Sequence, residues 1–225
     1  MKRDTYNTIP KIPLCVIGNG GHSKVIADIV QAHGLFRIAA VADDKFAELA
    51  LHEGVYYGPP RVIRGMLGVE LEMMVVIAIG DNRIRKQMAE YLDIAAERYA
   101  VLIHPSAILS PHVTIGAGTV VMPGAIINHG AAIGKHAIVN SGAIVEHDSC
   151  LGDFAHLSPG AALAGGVCVM EGAHVGIGAA VIPRVQIGRW SILGAGGTAI
   201  DDIPDGETAV GVPARLINGL VRIIK

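Results

Sequence analysis

The sequence predicts a small Rossmann-like α/β module followed by a parallel β-helix of hexapeptide repeats. Three observations carry this expectation. Across residues 103–193 an aliphatic residue recurs at every sixth position, sixteen times without a break, from Ile103 through Ile115, Ile127, Val139, Leu151, Leu163, Val175 and Ile187 to Leu193. Four residues after each member stands a small or β-branched residue, such as Ala107, Thr119, Ala131, Ala143, Ser149 and Ala161. Ahead of the array, the apolar run 14–17 enters a glycine-rich turn and then a stretch with helical apolar spacing.

A period of six fits neither a helix at 3.6 nor a flat strand at 2, but it suits short strands separated by corners, with two inward positions per six. Glycine adds a period of eighteen at Gly116, Gly134, Gly152 and Gly188, with Met170 in the remaining slot. Eighteen is three sixes, so each coil holds three short strands and coils stack at about 4.8 Å. Residues eighteen apart become vertical neighbours. A narrow triangular interior must set a large aliphatic beside a small residue and has little room for aromatics, which make up only 4% of the chain.

The module that precedes the prism is read in order. Residues 14–17 form a strand, Gly18-Asn19-Gly20-Gly21-His22 a turn, and 23–30 a helix. Backbone N–H groups at such a helix start can approach a phosphate closely. Ser23 stands where the dinucleotide fingerprint requires its third glycine, so NAD is not expected. Residues 36–41 form a second strand ending at Asp43-Asp44, either contacts for a ribose or base or simply a solvated acidic turn. Residues 56–60 read as a turn, 61–67 as a short helix, and 73–79 as a buried strand. Gly80-Asp81-Asn82 opens a helix carrying Arg83, Arg85 and Lys86. Asn82 either caps that helix or faces the crevice beside Gly20 and Gly21. The expected organisation is a nucleotide-binding module over 1–100, a prism over 101–200, and a C-terminal cap over 201–225 whose last ten residues form a short helix.

Composition narrows the function classes. A chain of 225 residues with 51% hydrophobic content supports a real core. A formal charge of -2 and a pI near 6.5 give no reason to expect nucleic acid or an anionic membrane as partner. Residues 1–11 lack the apolar core of a secretion signal, and the longest apolar run is too short to span a bilayer. A cytoplasmic protein without membrane insertion is expected. Cys150 and Cys168 lie eighteen apart, within possible disulfide reach, and free thiols are expected in a reducing compartment.

An aliphatic interior carries no chemistry, so any site lies on outer faces, at corners or between subunits. His129 and His147 should stack in adjacent coils, as should His156 and His174. The sharpest cluster is Glu146-His147-Asp148. Imidazole is suited to accept a proton near neutral pH, and an adjacent carboxylate can fix its tautomer. Sequence spacing does not choose between Glu146 and Asp148, and the plain alternative is three solvated surface residues.

The strand-GNGGHSK-helix, the IGDNRIRK segment, the unbroken array, EHD within it, GDFAH nine residues on and the closing GVPAR together resemble the nucleotide-sugar acetyltransferases, over nearly the whole chain. The resemblance implies a left-handed β-helix and is nearest to the group that N-acetylates UDP-4-amino-dideoxy sugars of bacillosamine-type glycans. Relatives act on perosamine or O-acetylate sialic acid. Carried over by position, His147 matches the general base and Asp148 its acidic partner. His156 matches a histidine near the acetyl group of acetyl-CoA, and Gly165 a backbone donor to the thioester carbonyl. Ile177, Ala195 and Pro213 match contacts along the CoA arm. Gly20, Gly21, His22, Asp43 and Asp44 match the nucleotide end of the sugar site, with Asn82 and Arg85 nearby, and Asn140 a contact to the sugar. The implied reaction is direct transfer without an acyl-enzyme, in a homotrimer with acetyl-CoA between neighbouring prisms and no metal. Ile126, Ile138 and Ile144 are the outward apolar residues expected at that interface. A zinc lyase of the γ-carbonic anhydrase type and a non-catalytic nucleotide-sugar sensor are the competing classes.

Overall fold

The computed structural model describes residues 10–70 and 72–217. The N-terminal module comprises β1 (Ile12–Ile17), α1 (Gly21–His33), β2 (Phe36–Ala42), β3 (Ala50–His52), β4 (Val55–Gly58), α2 (Pro60–Val69), β5 (Met74–Ile77) and α3 (Asn82–Leu92). Its sheet runs in the order β3-β4-β2-β1-β5. All pairs are parallel except β3 with β4. The central strands are uninterrupted apolar runs because helices cover the sheet, as parallel sheets require.

One sequence expectation is corrected here. The stretch around residues 56–60 is not simply a turn, because Val55–Gly58 is a strand seated against β2 with Ala40 opposite Tyr56. The proline pair Pro59-Pro60 stops this strand after four residues. Its hairpin partner β3 is joined through Glu53 and Gly54, both at positive φ (49° and 79°), the twist that a two-residue hairpin turn needs.

From Leu102 onward the chain winds as two-residue strands in three parallel sheets. Face A runs from Ile108–Leu109 to Thr198–Ala199, face B from Thr114–Ile115 to Gln186–Ile187, and face C from Leu102–Ile103 through Ile192–Leu193 to Thr208–Val210. Within the regular array each residue pairs with the one eighteen positions on, as Ile126 does with Ile144. The interior is the aliphatic row packed on the small row, from Val121 and Ala125 to Leu193 and Ala199. Polar members of the small row are hydrogen-bonded inside: the Thr119 hydroxyl donates to Gly134 O (2.7 Å) and accepts from Ala137 N–H (3.0 Å). Ser149 does the same with Ala164 O and Val167 N–H.

The glycine period has a steric cause. A Cβ on Gly134 would stand 2.5 Å from the backbone nitrogen of Asp153, and one on Gly152 2.6 Å from that of Glu171. Along this corner, between faces B and C, successive coils touch backbone to backbone.

Face C is covered. Leu102, Val120, Met122 and Ile138 share one core with Leu14, Val16, Ile26 and Ile29 of the module. Ile138 is 1% exposed. It is therefore committed to the domain joint, which corrects the expectation that it serves a subunit interface. Ile126 and Ile144, on face A, are only half-buried.

At the far end, Arg215–Leu216 turns back antiparallel to Thr208–Val210. The rest of the expected C-terminal helix lies outside the described residues. Among those described, no helix is long and apolar enough to cross a membrane.

Candidate active site

The Glu146-His147-Asp148 cluster sits at the corner between faces A and B. Asp148 adopts a left-handed conformation (φ 58°), and its Oδ2 accepts a hydrogen bond from His147 Nδ1 at 2.9 Å. This chooses the carboxylate. Glu146 instead accepts the backbone N–H of His147 at 3.2 Å. Because Nδ1 donates to Asp148, the lone pair of Nε2 is left for other work. The His147 side chain is 62% exposed in the single chain.

Two glycines seat this pair. In the preceding coil, a Cβ on Gly130 would lie 2.7 Å from Asp148 Oδ1. In the following coil, a Cβ on Gly165 would lie 2.6 Å from both Cε1 and Nε2 of His147. Gly165 therefore forms the floor under the imidazole. Its N–H finds no acceptor among the described residues, whereas the next N–H, of Gly166, bonds to His147 O.

Asn140, Ile177 and Ala195 lie at a different corner, between faces C and A. Asn140 Nδ2 meets Nε2 of His156 at 3.1 Å, while its Oδ1 accepts Ser141 N–H. Ile177 and Ala195 are exposed. Pro213, after a cis Val212–Pro213 bond, is also exposed close by, where Ala214 N–H bonds to Thr198 O.

His156 points out of face C into the domain joint. Its ring stacks in parallel on His174, centroids 4.8 Å apart, and His174 Nε2 pairs with the Ser158 hydroxyl at 2.7 Å. Burial first, then His174, Arg85 and His22, hold the His156 pKa well below the usual range. His22 lies in the same joint and is pushed down to about 4 by burial and by Arg85. His22 Nε2 and His156 Nδ1 are buried without a hydrogen bond among the described residues.

The glycine turn is built around Asp43. Asp43 Oδ2 accepts Asn19 N–H at 2.6 Å and Oδ1 accepts Lys45 N–H, while Lys45 Nζ donates back to Asn19 O. Ser23 donates to Gly20 O at 2.7 Å, so the residue that breaks the dinucleotide fingerprint closes this turn. Around Gly20 and Gly21 the space for a side chain is open. Asp44 makes no such bond and lines, with Gly18, Asp43, Pro60, Ile84 and Met88, a cavity of about 230 Å³. A larger cavity of about 470 Å³, bordered by Arg37, Tyr56, Met66 and Met73, lies elsewhere on the module and touches none of these residues.

Asn82 and Arg85 are placed otherwise than the sequence suggested. Asp81 caps α3, accepting the N–H groups of Arg83 and Ile84 at 2.9 Å. Asn82 Nδ2 instead reaches Gly172 O and Ala173 O on the prism, at 3.1 and 3.2 Å. Arg85 is 1% exposed. Its guanidinium donates to His136 O, Phe154 O, Ile79 O, Gly80 O and Asn82 Oδ1, all within 3.1 Å. With its donors consumed, Arg85 is a staple between domains and has nothing left for a ligand. Burying polar groups is costly unless they are paired, and Asn82 and Arg85 pair the carbonyls they meet in this joint.

The histidine pairs also sort differently. His156 and His174 stack, but the ring of His129 packs on His112 at 4.5 Å. Among the described residues no group of three His, Cys, Asp or Glu side chains is placed to hold a metal ion.

The fold and site together define a two-domain acyltransferase architecture, a Rossmann-like module on a hexapeptide prism with a histidine–aspartate pair at one corner. Residues 13–92 match the PglD N-terminal domain. The chain is 40% identical to a variant of perosamine N-acetyltransferase from Caulobacter crescentus, solved with CoA and GDP-perosamine; the match covers 92% of this chain and 97% of that one, with a TM-score of 0.84. It is 36% identical to the acetyltransferase domain of PglB from Neisseria gonorrhoeae in complex with acetyl coenzyme A, covering 92% and 100% of the two chains at a TM-score of 0.82. UDP-N-acetylbacillosamine N-acetyltransferase of Bacillus subtilis (strain 168) is 48% identical over 109 residues, 48% of this chain and 50% of that protein. That alignment thus spans half the length of the curated relative. The chain belongs to the family of nucleotide-sugar N-acetyltransferases, with a left-handed parallel β-helix behind a Rossmann-like domain.

Proposed function

We propose that this protein transfers the acetyl group of acetyl-CoA to the amine of a UDP-linked 4-amino-dideoxy sugar, with His147 as general base. One observation carries the reading: an imidazole held at Nδ1 by Asp148, with Nε2 free, rests on Gly165, whose N–H is uncommitted. The neutral amine attacks the thioester carbonyl, and the oxyanion that forms accepts the Gly165 N–H. His147 Nε2 takes the proton from nitrogen. Collapse of the tetrahedral intermediate breaks the C–S bond, and the departing CoA sulfur takes that proton from the imidazolium. An oxyanion donor of this kind lowers the barrier by about 3 kcal/mol.

The choice of substrate follows the relatives, which bind CoA with GDP-perosamine or are named for UDP-N-acetylbacillosamine. The UDP reading rests on the 48% identity to the latter over 109 residues, about half of each chain. Asp44, the acidic residue of the turn that is free of backbone bonds, is the group proposed to read the base.

Oligomerisation belongs to the same reading. His147, Asp148 and Gly165 lie at the A/B corner, whereas Asn140, Ile177 and Ala195 lie at the C/A corner and the nucleotide module covers face C. One chain cannot bring its own module to its own base across the width of the prism. A homotrimer in the cytoplasm, in which the A/B corner of one copy meets the C/A corner of the next, supplies both halves. Face A between these corners carries Ile108, Ile126 and Ile144 outward, an apolar strip suited to burial.

The test is thiol release from acetyl-CoA with UDP-, GDP-, dTDP- and CMP-linked amino sugars. Turnover with a UDP-4-amino sugar, reduced about 10²- to 10⁴-fold by His147→Ala, is expected. Full activity of that variant removes His147 from the mechanism, and no turnover with any pair removes the reaction. Sedimentation equilibrium is expected to give three chain masses.

A further inference from the structure

Cys150 and Cys168 are opposed residues on neighbouring parallel strands of face B. Their inward neighbours Leu151 and Val169 are buried in the prism, so both thiols point outward, and both are free and half-exposed. They also have a fixed relation to the site. Cys150 follows His147 by three residues, and Cys168 follows Gly165 by three. The two thiols thus occupy the same two coils that hold the imidazole and its floor, just around the corner from them. Between base and thiol, Ser149 already ties these coils through Ala164 O and Val167 N–H.

We propose that Cys150 and Cys168 form a dithiol site that reacts with small-molecule disulfides and, on closing, misaligns His147 over Gly165. Parallel strands lie about 4.8 Å apart, inside the roughly 4.4–6.8 Å range of Cα separations that a disulfide spans. The Cβ atoms must nevertheless lean together to about 3.8 Å, which draws the two coils toward each other on one side. Burial first, and then the neighbouring Cys168 sulfur, push the Cys150 thiol up to about 12.

The chemistry balances with a disulfide as oxidant. Cys168, on losing its proton, attacks one sulfur of the reagent, forming a mixed disulfide and expelling one thiolate. Cys150 then loses its proton and attacks the Cys168 sulfur, expelling the second. The chain gives up two protons and two electrons, and the reagent is reduced to two thiols.

The functional consequence rests on the acetyltransferase reading, but formation of the bond does not, so the two are measured apart. Purified full-length protein is incubated with oxidised glutathione under native conditions and analysed by non-reducing mass spectrometry and by the imidazole NMR signal of His147. Expected are loss of two hydrogens per chain, a Cys150–Cys168 peptide cross-link, a shift of the His147 signal, and reversal of all three by dithiothreitol. In the activity assay, kcat is expected to fall at least tenfold on oxidation with little change in KM. The variants Cys150→Ser and Cys168→Ser are expected to retain activity and be indifferent to the oxidant. A cross-link between chains, stable glutathione adducts without ring closure, or a closed disulfide that moves neither the His147 signal nor kcat overturns the proposal. If the protein shows no acetyl transfer at all, the mass and NMR readouts still decide it.

Discussion

The smallest structural unit that matters is the corner residue. His147 and Asp148 are adjacent in sequence, yet they face one another only because Asp148 takes a left-handed backbone conformation above Gly130. Replacing Asp148 by Asn keeps the shape but lets the amide donate to Nδ1, which moves the imidazole proton to Nε2 and blocks it as a base. On the proposed mechanism a loss of kcat of about 10²- to 10⁴-fold is expected in the thiol-release assay, with unfolding temperature unchanged. Gly165→Ala tests the floor. Its backbone does not require positive φ, so the strain falls on the His147 ring, which must move by several tenths of an ångström at least. A 10- to 100-fold fall in kcat with little change in KM is expected. The EHD motif was visible in sequence, and so was the match of Gly165. The choice of Asp148 over Glu146 was not, because alternation fails at a corner.

Among the elements, α3 has the role that sequence misread. The family resemblance put Asn82 and Arg85, at its start, near the nucleotide end of the sugar site, with capping of the helix as the other reading of Asn82. In the fold the helix lies along the B/C corner, with Arg85 donating to carbonyls of two domains and Lys86 pairing with Glu171 at 2.7 Å. Arg83 and Lys86 also sit over the Trp190 ring, at 4.7 and 5.4 Å. Arg85→Ala leaves several carbonyls without donors and is expected to destabilise by about 3 kcal/mol, measured by denaturant unfolding of the whole chain. Lysine does not substitute, since one ammonium cannot reach the same spread of acceptors. The prism strands, in contrast, were readable almost residue by residue. In a coil of fixed period every interior position meets the same neighbours, so local pattern and tertiary contact coincide.

For the whole molecule, the joint between module and prism concentrates buried imidazoles. His22 and His136 are both pushed down to about 4, chiefly by burial and then by Arg85, and His156 and His174 are lowered for the same leading reason. Asp153 opposes the shift at His136 and Lys135 reinforces it. A depressed histidine pKa means that the unfolded chain binds protons first. Stability contributed by the neutral rings is therefore complete above about 6.5 and is lost as pH falls from there to about 4, where the folded rings also protonate. The expected result is a joint that weakens across this window, by up to roughly 3 kcal/mol for each of His22 and His136. Thermal melts between pH 7 and 4 check it: a flat profile removes the premise that these rings are buried neutral, and His136→Phe is expected to flatten it in part.

The sequence by itself determined the two-part architecture, the three-strand coil, the inward rows, and the cluster around His147. Each of these is a local pattern that repeats or a motif contained within a few residues, so one-dimensional spacing is enough to express it. The tertiary structure alone decided which carboxylate orients His147, that Asn82, Arg85 and Ile138 belong to the domain joint, and that the Rossmann-like module and the His147–Asp148 pair occupy opposite sides of one prism. Those outcomes depend on which corner and which face a residue is delivered to, and on which polar groups burial forces to pair. Neither is recorded in the spacing of residues along the chain.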